Sequence, residues 1–300
     1  MKPHISVVIP VYNGEKTLFD TLTSVLKQTY ICFDVIIVDN GSDHPVESFI
    51  HPLMKDSRIR VCRIERSNAN IARNYGIMES KGEYIAMLDA DDYWQENHLQ
   101  ECLELLQHSD ADGLYGSLFL RRSLSSDIQG LQISNARELK KRESMVNYLL
   151  TTGYGAQTST LFATANSMKD ILWDPELKSH QDYDFVVRFC KKYKMTVKKN
   201  PTVSYYLSSG RVQDYESCIR FIKNNIKDIN PVVYMQYNLN MYMQTRLKEE
   251  LKKFASYYKN EAVRYKDYIS YQRYVSVCNP QSCIQKWMEK LKYILQIVKT

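Results

Sequence analysis

The sequence predicts an α/β fold, a twisted sheet covered by helices on both faces, with an α-helical C-terminal extension. Two observations carry this. Short apolar runs without polar alternation recur between segments whose apolar residues keep helical spacing, and such runs suit strands buried on both faces. From about Asp214 the strand signals stop and only helical spacing remains.

The elements follow in order. Residues 5–9, Ile-Ser-Val-Val-Ile, form a buried strand, and Leu18, Leu22, Val25 and Leu26 then mark a helix. Strands are expected at 33–38, 59–64 and 84–88, separated by helices near 46–54 and 69–79. A helix over 96–106 and a strand over 113–120 come next. The polar, Ser-rich stretch 121–135 reads as a loop, 136–150 as a helix and 158–163 as a strand. Phe185, Val186 and Phe189 place a helix over 182–193, and 195–206 holds one or two short strands. This divides the chain into a domain at 1–230, with halves 1–110 and 111–230, and an extension at 231–300.

With 44% hydrophobic and 25% charged residues the chain has the make-up of a folded globular protein, not a disordered one. Its seven cysteines are odd in number, scattered and without a Cys-x-x-Cys pair, which favours a reducing compartment and argues against a zinc site. No apolar stretch approaches the ~18 residues that span a bilayer, and no signal peptide is evident, so a cytoplasmic location is expected.

The strand at 84–88 runs directly into Asp89, Asp91 and Asp92. In open α/β sheets the carboxyl ends of the strands are where ligands bind, and clustered carboxylates there can hold a hard divalent cation against a diphosphate. The chemistry expected is that of an enzyme acting on a nucleotide-activated substrate. A Pro ending the first buried strand, Pro10, removes a ladder donor and turns the chain outward, which sets the flat ring of Tyr12 at the sheet edge to stack on a base. Asp39, at the end of the second strand, either accepts the imide proton of uracil or forms an Asx-turn with Gly41-Ser42.

Four segments together resemble the family 2 glycosyltransferases, inverting enzymes of the GT-A fold, a Rossmann-like mixed sheet. They are Val7-Val8-Ile9-Pro10-Val11-Tyr12-Asn13-Gly14-Glu15, Val38-Asp39-Asn40-Gly41-Ser42, Ala72-Arg73-Asn74-Tyr75-Gly76 and Leu88-Asp89-Ala90-Asp91-Asp92. The resemblance covers residues 3–210. It implies that Pro10, Val11, Tyr12, Glu15, Asp39, Asn40, Asn68, Arg73, Asp89 and Ala90 bind a nucleotide-sugar donor, expected to be UDP-linked. It also implies that Asp91, with Asp89, ligates Mn²⁺ or Mg²⁺ and that Asp92 supports the site. Arg66 and Asn68 stand where the family usually has Asn and Gly, and Asn tolerates a left-handed backbone.

His180-Gln181-Asp182-Tyr183-Asp184 resembles the family's acceptor-side motif, with Asp182 in the place of the general base and Asp184 as a second candidate. The local alternative is that Asp182 only caps a helix. No histidine follows His180, so the metal shell either closes with water and Ser208 or holds its metal more weakly than in relatives.

The resemblance extends to bacterial capsule, O-antigen and lipopolysaccharide transferases, which implies a glycan or lipid-linked oligosaccharide acceptor. A sugar-1-phosphate nucleotidyltransferase is the nearest enzymatic rival, though residues 10–16 lack its Gly-rich, basic phosphate loop. A non-catalytic nucleotide-sugar-binding or scaffold protein is the rival of another class.

The extension is basic, with 12 Lys/Arg against 5 Asp/Glu after residue 230, and it holds ten of the 23 tyrosines. Ile284, Trp287, Met288, Leu291, Leu295 and Val298 form a helical stripe. That stripe suits a peripheral contact with an anionic membrane surface, and equally packing on the catalytic domain or on a second subunit as a homo-oligomer. No nucleic-acid-binding motif is present.

Overall fold

The computed structural model describes residues 2–123, 132–153, 155–207 and 212–265. The chain resolves into two compact units, Met1–Phe221 and Ile222–Thr300.

The first unit opens with β1 (Ile5–Val11), buried along its whole length, then α1 (Leu18–Leu26), β2 (Phe33–Asn40), α2 (Glu47–Ile50), β3 (Ile59–Ile64), α3 (Ala69–Glu79) and β4 (Tyr84–Met87). There follow β5 (Tyr93–Trp94), α4 (His98–Gln107), β6 (Gly113–Gly116), β7 (Leu118–Arg121) and β8 (Gln132–Ser134). The unit continues with α5 (Met145–Thr152), β9 (Phe162–Thr164), α6 (Ala165–Ile171), α7 (Gln181–Lys192), β10 (Met195–Lys198) and β11 (Val203–Tyr206). Helix α8 (Tyr215–Asn225) starts in this unit.

The main sheet has seven strands in the order β10-β6-β9-β4-β1-β2-β3. It is parallel except for β9, which runs against β4 and β6. A smaller sheet, β5-β11-β7-β8, lies apart from it. The reversed strand has a purpose in the geometry. Phe162 pairs with Ala86 near the carboxyl end of β4, so the residues preceding β9 arrive at the edge where the acid cluster begins.

Pro10 does not end β1; it pairs in register with Val38. The strand tolerates it because the Val8 carbonyl accepts from Leu88, which puts the Val8 and Pro10 peptide edges on the β4 side, and the β4 ladder stops at Met87. No donor is needed there. Helix α3 packs on β1 and β2 through Gly76, where a Cβ would lie 2.4 Å from Val8 Cγ1 and 3.1 Å from Val38 Cγ2.

Several sequence expectations differ from what forms. The run 113–120 is split by Ser117 between two sheets, β6 in the large one and β7 in the small one. The stretch expected as a loop carries β8. The helix expected from Ala136 begins only at Met145, because Arg137 is pinned to Glu143 by two hydrogen bonds of 2.7 and 2.8 Å and Ser144 caps the helix by accepting from Asn147. The strand expected from Thr158 begins as a short 3-10 turn at Thr158–Thr160.

The second unit, described as far as Tyr265, has α9 (Pro231–Thr245) packed against α10 (Lys252–Val263). Met235, Leu239 and Ala262 form its apolar centre, and buried Glu261 accepts from the Tyr234 hydroxyl at 2.6 Å. The helical stripe expected at 284–298 lies outside the described residues. Among the described residues no helix is long and apolar enough to cross a membrane.

Candidate active site

The carboxyl edge of the main sheet opens into a cleft of about 1070 Å³. Ten of the residues singled out in the sequence line it: Pro10, Val11, Tyr12, Glu15, Asn40, Asn68, Arg73, Asp89, Ala90 and Asp91. They come from four loops that the parallel strands deliver to one edge. Two of those loops are tied together, since the Asn13 side chain donates to Asp43 at 2.8 Å and accepts from the Asp43 amide at 2.9 Å.

Asp39 is not among the lining residues. It is fully buried, with Oδ1 accepting from the Ser42 amide at 2.9 Å and Oδ2 paired with Arg63 at 2.7 Å. Its carboxylate thus closes the turn after β2 through the amide three residues on, one residue beyond an Asx-turn. Its neighbour Asn40 grips Ser67, donating to the Ser67 carbonyl and accepting from its amide, each at 3.0 Å. Asn68 is extended, at φ −84°, and needs no left-handed backbone; its side chain caps α3 by accepting from the Asn70 and Ile71 amides. It also donates to the Pro175 carbonyl.

The acid turn after β4 is braced from three sides. Thr21 of α1 donates to the Ala90 carbonyl at 3.0 Å. Asp92 is fully buried and accepts from Ser159 Oγ at 2.5 Å and from the Tyr206 amide at 2.8 Å. Ser159 Oγ in turn accepts from the Asp89 amide. Burial, then the charges of Asp91 and Asp89, push the Asp92 carboxyl well above the usual carboxylate range. The third brace is Arg121, fully buried, which donates to the Asp91 carbonyl at 2.5 Å and lies over the rings of Tyr93 and Tyr206. Placed in a loop by its sequence context, Arg121 gave no sign of this role. Ser159 was equally silent, because only the reversal of β9 brings it to Asp92.

Asp89 and Asp91 thus remain on the cleft wall while Asp92 is structural. Among the described residues no group of three or more His, Cys, Asp or Glu gathers to hold a metal. Two carboxylates with hard oxygen donors still suit Mg²⁺ or Mn²⁺, which are commonly held by one or two carboxylates together with substrate phosphates. Ser208 lies outside the described residues.

A second cavity, of about 350 Å³, lies on the other side of a shared wall: Arg73 and Asp89 line both. Arg73 donates to Asp89 Oδ1 at 2.8 Å, to Asn70 at 3.0 Å and to Gln181 at 3.1 Å. Asp182 lines this second cavity with His180, Gln181 and Gln157. It sits in the first turn of α7, where the helix dipole favours a negative charge, and its Oδ1 accepts from the Tyr183 amide. Asp184 is different. It is buried and committed to Arg188 at 2.7 Å, and burial raises its carboxyl above the usual range. His180 adopts a left-handed backbone, stacks 5.2 Å from Tyr183, and burial pulls its imidazole down to about 4.

A family model described as Glycosyl transferase family 2 matches residues 6–168, more than half of the chain. The chain is a family 2 glycosyltransferase. The matched span holds the whole of the cleft's first three loops and the acid turn. This glycosyltransferase is 30% identical over 210 residues to the amylovoran biosynthesis glycosyltransferase AmsB of Erwinia amylovora, covering 67% of this chain and 69% of that one. It is 40% identical over 121 residues to the glycosyltransferase GlyG of Streptococcus pneumoniae, covering 40% of each.

Among solved structures, S. aureus TarS residues 1–349 with UDP-GlcNAc superposes at a TM-score of 0.59 and 17% identity, over 98% of this chain and 81% of that one. The mannosyltransferase PcManGT of Pyrobaculum calidifontis, with GDP-Man and Mn²⁺, gives 0.56 and 12%, over 99% and 86%. At such identities these likenesses speak for the fold, which is the mixed α/β sheet of the GT-A enzymes.

Proposed function

We propose that this glycosyltransferase moves a sugar, with inversion, from a UDP-linked donor to a hydroxyl of a growing bacterial surface polysaccharide. The observation that carries the reading is the shared wall: Arg73 and Asp89 face both the cleft that holds the acid turn and the cavity that holds Asp182. A donor in the first and an acceptor in the second would meet across it.

The base lies against Tyr12, and the diphosphate runs toward Asp89 and Asp91. These two carboxylates would hold Mn²⁺ or Mg²⁺, which neutralises charge on the departing diphosphate. Arg73 holds Asp89 in place through their 2.8 Å pair. Asp182 accepts the proton of the acceptor hydroxyl as its oxygen attacks the anomeric carbon, and the nucleoside diphosphate leaves from the opposite face. The polymer assignment is supported by the names of relatives, AmsB for amylovoran and the putative teichuronic acid enzyme TuaG of Bacillus subtilis. TarS and PcManGT, the solved neighbours, carry UDP-GlcNAc and GDP-Man respectively, which supports a nucleotide-sugar donor.

The test is calorimetry of UDP-, GDP-, CMP- and dTDP-sugars with and without Mn²⁺, run beside transfer assays of Asp182→Asn. Donor affinity should be kept, and turnover should fall by about 10²- to 10⁴-fold, the usual contribution of a general base. Full turnover in the variant would remove Asp182 from the mechanism.

A further inference from the structure

Arg66 lines the donor cleft, and none of the steps of transfer uses it. Its guanidinium carbon lies 3.3 Å from the centroid of the Tyr12 ring. Among the described residues that ring is the guanidinium's partner, with no ion pair or hydrogen bond beside it. Among the described residues the guanidinium is therefore held by its ring contact with Tyr12.

The backbone beneath it is fixed. Gly41 stands at φ +70°, and a Cβ there would come within 2.7 Å of the Arg66 nitrogen and 2.9 Å of its Cα. Only glycine allows the turn after β2 to press this closely on residue 66. On the next residue, the two-way grip of Asn40 on Ser67 anchors the loop from the other side. A pinned backbone thus carries a long side chain whose tip rests on a displaceable partner, the Tyr12 ring.

That partner is the ring on which a nucleobase is expected to stack, still 43% exposed. A guanidinium is flat, delocalised and weakly hydrated, so it stacks on aromatic faces. A base offers the same kind of face, and bases are held between aromatic rings and arginine planes in other nucleotide sites. We propose that Arg66 is the base clamp of the donor site. It covers Tyr12 when the cleft is empty and, when a nucleotide enters, moves out by one ring thickness to close on the base's other face. The inference rests on the donor-cleft reading above and adds the residue that sets base affinity.

The clamp works through flatness, and a phosphate partner would work through charge, so Arg66→Lys separates the two. UDP affinity is measured by calorimetry in the presence of Mn²⁺ for the full chain, Arg66→Ala and Arg66→Lys. Both variants should bind UDP about 2- to 30-fold more weakly, the range of a cation–π contact from exposed to desolvated. Wild-type affinity in Arg66→Lys would overturn the clamp in favour of a charge contact. Unchanged or tighter binding in Arg66→Ala would overturn it in favour of a plug that only blocks Tyr12. Failure of the wild-type chain to bind any nucleotide would instead overturn the donor-cleft reading, and with it the ground for the clamp. Because Arg66 is exposed, neither substitution disturbs the core.

Discussion

Replacing Arg73 by Met should destabilise the first unit by about 3 kcal/mol, the low end of what removing one partner of a buried ion pair costs. The guanidinium is 5% exposed and Asp89 18%, so water offers the abandoned carboxylate little compensation. The substitution also strips the donors from Asn70 and Gln181. At an effective dielectric of about 20, two charges near 4 Å attract by about 4 kcal/mol, and the partial exposure of Asp89 trims that figure. For a unit of this size each kcal/mol moves the melting temperature by about 2–4 °C, which predicts a fall of about 6–12 °C. The assay is thermal unfolding by circular dichroism, without nucleotide, on Arg73→Met, Asp89→Asn and the double variant. In the double variant no charge is left unpaired, so its loss should be smaller than the sum of the singles by about 2 kcal/mol. A melting temperature within about 2 °C of wild type for Arg73→Met, or additivity within about 0.5 kcal/mol, would refute the reasoning.

Two further effects follow from packing and burial. Gly76→Ala places a methyl 2.4 Å from Val8 Cγ1, and overpacking of about 1–3 kcal/mol outweighs the gain in helix propensity of about 1 kcal/mol. Urea unfolding should show a loss that Val8→Ala, by opening space, partly restores; equal stability of Gly76→Ala and wild type would contradict the contact. His98 is buried, stacked 4.3 Å from Trp94 and bonded to Thr202 at 2.7 Å, and desolvation, aided by Lys198, holds its imidazole well below the ordinary range. The unfolded chain takes up a proton below pH ~6.5 that the folded chain refuses, so the group's contribution falls by about 1.4 kcal/mol per pH unit on acidification. His98→Gln should flatten the stability profile between pH ~6.5 and the native pKa, and a slope identical to wild type would exclude His98 as its source.

Much of the first hundred residues was legible because its signals are local. The strands β1, β2 and β4 are built on apolar runs, β3 sets Arg60 and Arg63 among apolar residues, and α3 begins and ends where its sequence spacing says. The acid turn shows as residue type at the end of a strand, whereas Asp182 stands out by resemblance to the family's acceptor-side motif. Roles that depend on chain reversal were hidden. Asp92 looks like its neighbours in sequence, yet it faces Ser159 and Tyr206 inside the protein. Arg121 reads as the start of a polar loop but is a buried cation beneath Asp91. The segment 136–144 has helix-forming residues, and the Arg137–Glu143 pair overrides them. In each case a long-range partner decides, and one-dimensional patterning carries no record of partners.

The bracing of Asp92 has a consequence for how the chain matures. Its second partner, Tyr206, lies 114 residues downstream. At translation rates of about 5–20 residues per second, about 6–23 s separate the two as they leave the ribosome. During that interval the strands β1 to β4 can already pair, while a carboxylate destined for the interior lacks its full pair of donors. The acid turn thus gains its last brace only after the strands around it are made, and a half-made chain carries those strands with the turn still incomplete.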